Sequence, residues 1–141
     1  MKSFLDTSVL VAAFYAAHEH HEPSFELFVH QERKSACTAA HCLVEVYSTL
    51  TGMPGKDRAG GDEALLFLGN VRERLTIVAL DSEECFKAVE SAAVEGVTGG
   101  GIYDAIIGHC ALKARAQDIY TWNIRHFKRL GTDVSSRVKT P

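Results

Sequence analysis

Three carboxylates stand alone in this chain. Asp6 is the only Asp, Glu, Lys or Arg between Lys2 and Glu19, Glu45 the only one between Lys34 and Lys56, and Asp104 the only one between Glu95 and Lys113. Burying an ionised carboxylate without a partner is costly, so each must be compensated. Backbone N–H groups, a distant Lys or Arg, or a shared cation could do it. Taken singly, Asp6 reads equally well as a helix cap, and Asp104 as an acid at a helix start, where acids are favoured. Glu45 sits between Val44 and Val46 in mid-helix, and no terminus explains it. Three such acids from well-separated segments point to one shared site. Carboxylates without a matching His or Cys set suit one or two hard ions such as Mg²⁺ or Mn²⁺. Such ions activate water and orient a phosphodiester.

Other motifs are weaker. His18-Glu19-His20-His21-Glu22 is rich in metal-binding types, but it is no HExxH sequence and lacks a downstream third ligand. Its place before Pro23 reads as an exposed helix start. No Walker A, GxGxxG or GxSxG sequence occurs; Gly99-Gly100-Gly101 reads as a flexible connection that lets Asp104 approach. Cys37, Cys42, Cys85 and Cys110 form no CxxC pair, so they are expected as free thiols in a reducing compartment. The net charge of −3 gives no global case for nucleic-acid binding. However, Lys113 to Lys139 carries seven Lys or Arg against two acids, so a basic end faces an acidic body. Arg125, Lys128 and Arg129 read either as phosphate contacts or as a solvated face. No stretch reaches the roughly 20 apolar residues of a membrane span, and Asp6 interrupts any leader-like apolar core. The expected setting is cytoplasmic.

The length and a hydrophobic content of 46% suit one domain over 1–141. Phe4-Leu5 reads as a short buried strand, followed by a polar turn and a helix capped by Thr7 or Ser8. Further helices are expected over 22–33, 39–50, 62–74, 82–94 and 102–116. Strands are expected at 35–38, 75–80 and 118–122, with a last weak one including Val134. Asp81-Ser82 should cap its helix. Alternating strands and helices predict an α/β parallel sheet with helices on both faces. Sites in such sheets lie beyond the carboxyl ends of the strands, where Asp6 and Asn123 both fall.

Together these residues resemble a known family. Phe4-Leu5-Asp6-Thr7-Ser8-Val9-Leu10 resembles the opening motif of PIN-domain nucleases. Glu45 in Leu43-Val44-Glu45-Val46-Tyr47 resembles the family's helix glutamate, and Tyr103-Asp104-Ala105 its third acid. Thr121-Trp122-Asn123-Ile124-Arg125-His126-Phe127 resembles its last motif. The length and the helix around His20 and His21 are similar to the VapC-type toxins of toxin–antitoxin pairs. The resemblance implies a PIN-like three-layer sandwich, a central parallel sheet flanked by helices. It implies a Mg²⁺- or Mn²⁺-dependent endoribonuclease, a homodimer, and an antitoxin that inserts a peptide near the acidic pocket. Asp6, Glu45 and Asp104 are then expected as metal ligands and Asn123 as a fourth catalytic residue. Thr7, Ser8, Thr121 and Arg125 are expected as supporting or substrate-binding groups. Many relatives carry an acid where this chain has Asn123, which orients water without adding charge. Two alternatives remain on sequence grounds: a catalytically weak RNA- or protein-binding module, and a phosphatase of small esters.

Overall fold

A computed structural model describes residues 1–141. The chain begins with β1 (Ser3–Leu5), α1 (Thr7–Phe14), α2 (His21–Val29), β2 (Ala36–Ala39) and α3 (Ala40–Gly52). It continues through α4 (Gly61–Arg74), β3 (Thr76–Val78), α5 (Ser82–Val94) and α6 (Gly101–Lys113). It closes with β4 (Asp118–Tyr120), α7 (Ile124–Phe127), α8 (Thr132–Ser135) and β5 (Val138–Lys139). The five strands form one parallel sheet in the order β3-β2-β1-β4-β5.

Alternation along the strands explains the three layers. Phe4, Cys37, Ala39 and Ile119 point to one face and join Ile107, Cys110, Phe127 and Val134 from the helices after β3. Leu5 and Ala36 point to the other face and join Leu10, Phe28, Val46, Leu50 and Val71 from α1 to α4. Side chains two apart share a face, so a strand buried on both sides is mostly apolar, and buried Thr38 of β2 donates to Leu5 O at 2.7 Å.

The sheet order reverses at β1. From there the chain winds outward to β2 and β3, then returns to place β4 on β1's other side. This switch point opens a crevice beyond the carboxyl ends of β1 and β4. The register pairs Leu5 with Tyr120, and Asp6 N–H donates to Tyr120 O at 3.0 Å. Asp6 and Thr121 therefore leave the sheet side by side.

The expected helices and strands form, with ends displaced by a few residues. Asp81 and Glu84 make the reciprocal cap of α5. The chain leaves α5 through Gly96 at φ +75°, a left-handed position that glycine adopts without strain. α6 stops at Lys113, ahead of Arg115 at φ +55°. The expectation for Val134 is corrected: it lies in α8, and the last strand is Val138–Lys139. Gly131 at φ +81° turns the chain, and Val134 then packs over Gly108 of α6. A single buried valine in a polar segment serves a helix turn as well as a strand.

Candidate active site

Asp6 is 2% exposed and caps α1, which corrects the expected cap at Thr7 or Ser8; Thr7 is the helix's first residue. Its Oδ2 accepts hydrogen bonds from Thr121 Oγ1 at 2.7 Å, Ser8 Oγ at 2.9 Å and Ser8 N at 3.4 Å. The two hydroxyls then accept from the following loop: Trp122 N donates to Ser8 Oγ and Asn123 N to Thr121 Oγ1, each at 2.9 Å. Each hydroxyl thus donates its one proton to Asp6 and takes a backbone N–H in return. This knot ties the end of β1 to the end of β4. Oδ1 takes none of these three bonds. Burial pushes the Asp6 carboxyl above its ordinary value, and the bonds from Thr121 and Ser8 offset part of that rise.

Glu45 comes from the middle of α3, held against the sheet by buried Cys42, Val46 and Leu50. Its Oε1 accepts from Thr7 Oγ1 at 2.6 Å, and its Oε2 lies 3.5 Å from His41 Nε2, one turn earlier. Asp104 stands in the first turn of α6, with Oδ2 3.6 Å from His126 Nδ1. Burial pushes its carboxyl up to about 6, and the neighbouring charges of Asp6 and Glu45 push the same way. Asn123 precedes α7 and spends no side-chain bond on capping it.

All four side chains line one open cavity of about 730 Å³, together with Thr7 and Ser8. Thr121 lies just beneath it, fully buried. Arg125 is exposed and borders neither this cavity nor its neighbour. Lys128 donates to Ser135 O at 3.0 Å. Of the three expected phosphate contacts, Arg129 alone reaches the neighbourhood: it lines an adjoining space of about 600 Å³ with Asp104 and His126.

The donor set fits a hard divalent ion. The acids are oxygen donors from three elements, and their mutual repulsion shows in the raised Asp104 carboxyl. No three His, Cys, Asp or Glu side chains close into a finished ligand shell. Mg²⁺ tolerates this, because it keeps several waters and takes only one or two carboxylates directly.

Residues 3–132 match the PIN domain family. The chain belongs to that family. It is 33% identical to Ribonuclease VapC40 of Mycobacterium tuberculosis over 132 residues, covering 92% of this chain and 94% of that protein. The PIN fold is shared with solved structures. VapC20 of Mycobacterium tuberculosis, described as a sarcin-ricin loop cleaving toxin, superposes with a TM-score of 0.71 at 19% identity, over 86% of this chain and 90% of that one. VapBC2 from Rickettsia felis, bound to a promoter DNA fragment, superposes with a TM-score of 0.68 at 19% identity, over 100% and 99%.

Several residues of the PIN cavity escaped the sequence. The histidine-rich motif forms the expected start of α2, with His20 at its cap and Glu19 exposed, but His18, Glu19 and His20 also line the cavity. They do not act as a helical ligand pair: His18 Nδ1 accepts from His20 N at 3.0 Å, and His21 Nδ1 lies 2.9 Å from Ala12 O. His20 stacks on Trp122 instead, with ring centroids 3.8 Å apart. His41 and Tyr103 line it as well. The i, i+4 spacing of His41 and Glu45 was the one available signal.

Proposed function

We propose that this chain is a divalent-metal-dependent endoribonuclease acting as the toxin of a toxin–antitoxin pair. One observation carries the reading: Asp6, Glu45, Asp104 and Asn123, from four segments, meet in one cavity at the switch point of a parallel sheet. The name of VapC40, a ribonuclease covered over nearly its whole length, supports RNA as the substrate.

In this reading the whole chain works as one nuclease domain. Asp6 and Asp104 would hold one or two Mg²⁺ or Mn²⁺ ions, and Glu45 could join the set. When bound, the metal activates water and balances charge on the phosphate. Thr121 and Ser8 keep the Asp6 carboxylate in a single orientation. Thr7 occupies Oε1 of Glu45, so Oε2 is the atom left either to join the ligand set or to take the proton from the attacking water. Asn123 donates its amide N–H to that water or to a phosphate oxygen. Attack at phosphorus with departure of the 3′ oxygen leaves 5′-phosphate and 3′-hydroxyl ends. Arg129 meets a flanking phosphate.

The partners follow from the same reading. The VapBC2 complex supports an antitoxin bound to this chain. A homodimer has exposed apolar side chains available in Phe25 and Leu65. Phe28 and Leu68 on the same helices instead pack into or against the core. No helix is long and apolar enough to cross a membrane, which agrees with a cytoplasmic setting.

The test is RNA cleavage by the purified chain in Mn²⁺, Mg²⁺ and EDTA, beside an Asp104→Asn control prepared identically. Metal-dependent cutting by the wild type alone is expected. RNA binding that survives EDTA, with no cleavage in Mn²⁺, would replace this reading with a binding module.

A further inference from the structure

The cavity that holds the acids contains no Lys or Arg. Its charged lining is Asp6, Glu19, Glu45 and Asp104. Such a surface repels a phosphate backbone, so little affinity for RNA comes from counterion release there. The site nevertheless presents aromatic rings beside the acids. Tyr103 is 53% exposed and follows its neighbour Asp104 into the cavity. Its ring lies nearly parallel to the His41 imidazole, with centroids 5.4 Å apart and planes 7° from each other. Elsewhere in the lining, His20 covers Trp122, whose indole Nε1 is anchored to buried Ser24 Oγ at 2.8 Å.

We propose that the free face of Tyr103 is a stacking platform for the base beside the scissile phosphate, so the site takes RNA whose bases are unstacked. The inference rests on the ribonuclease reading and deepens it. His41 backs one side of the ring and sets its plane before substrate arrives, which lowers the ordering cost of binding. Stacking accepts any base, since every base has a π-face, and it supplies affinity where charge cannot. A duplex hides those faces, whereas a loop or single strand offers them. Tyr103 is a positioning residue here; it touches the substrate base and not the reacting atoms.

The test uses a short single-stranded RNA carrying one 2-aminopurine, whose emission falls on stacking, mixed with the chain in Mn²⁺ and read before turnover. The same mixtures are followed to cleavage, and the same sequence is offered as a duplex. Wild type and Tyr103→Phe should quench the single strand and ignore the duplex. Tyr103→Leu, which keeps bulk but not the ring, should lose the quench and raise KM roughly 5- to 100-fold with kcat retained. Exposure of Tyr103 makes both variants foldable, and a thermal melt checks this. Equal quenching and KM in Tyr103→Leu, with the wild type cleaving, would overturn the platform and leave the nuclease standing. So would a Tyr103→Leu chain that cleaves normally but shifts from dimer to monomer. A wild type that neither binds nor cleaves any strand would sink both readings.

Discussion

Asp104→Asn should stabilise the metal-free protein while abolishing its cleavage of RNA. The Asp104 carboxyl is raised from an ordinary 3.8 to about 6 in the fold. An acid with a raised folded value stabilises the fold only while protonated. Below pH 4 both folded and unfolded chains hold the proton, and there is no cost. Between pH 4 and 6 the unfolded chain releases it first, and stability falls as pH rises. Above about pH 7 the cost is complete. At about 1.4 kcal/mol for each pH unit between the two values, the full interval is about 3 kcal/mol. The side chain is 22% exposed, so solvent screening brings the figure to about 1–2 kcal/mol. Asparagine keeps the shape and removes the charge. The expected rise in Tm at pH 8 in EDTA is about 3–8 °C. The assay is a pair of melting curves, wild type and variant, at pH 4 and pH 8, with Glu90→Gln on the exposed face of α5 as a neutral control. A gain that is equal at both pH values would refute the reasoning, as would no gain at pH 8.

Saturating Mg²⁺ or Mn²⁺ should raise the wild-type Tm, about 2.7 kcal/mol at a hundredfold excess over Kd, and should act far more weakly on Asp104→Asn; scanning calorimetry with and without EDTA reads both. Asp6→Asn should abolish cleavage without unfolding the chain, and full metal-dependent activity in that variant would remove the site assignment. Thr121→Val deletes the donor to Asp6 and the acceptor for Asn123 N, so urea melts should show a loss of about 1–3 kcal/mol. Burial pushes the Cys37 and Cys110 thiols to about 11 and Cys42 to about 12, while Cys85 is exposed. A thiol reagent should therefore titrate one cysteine in the native protein and four after denaturation.

The acids were legible because charge is sparse around them. A gap of ten residues without Asp, Glu, Lys or Arg on either side of Glu45 is a linear signal, and mid-helix placement removes the innocent explanation. The sheet was legible because β1 to β4 are short and separated by helical segments, whereas β5 follows only two four-residue helices. Val134 was misplaced because one valine among Asp, Ser and Arg carries no period. Arg125 and Arg129 were equivalent in sequence, and only the turn of α7 decides which one nears Asp104. The aromatic wall was invisible for a different reason. His20 meets Trp122 and His41 meets Tyr103 across more than fifty residues, and stacking leaves no spacing rule in the chain.

The knot at Asp6 also orders events in time. Its key hydrogen bond spans 115 positions, from the first strand to the loop after β4. A growing chain already carries Asp6, Glu45 and Asp104 before Thr121 and Ser8 can share the carboxylate between them. Until β4 docks beside β1, Asp6 has only the local bonds from Ser8 and the crevice has one wall. The hazard a nuclease poses to the RNA that is making it is thus deferred by topology, because the site is finished by nearly the last part of the sheet to be made.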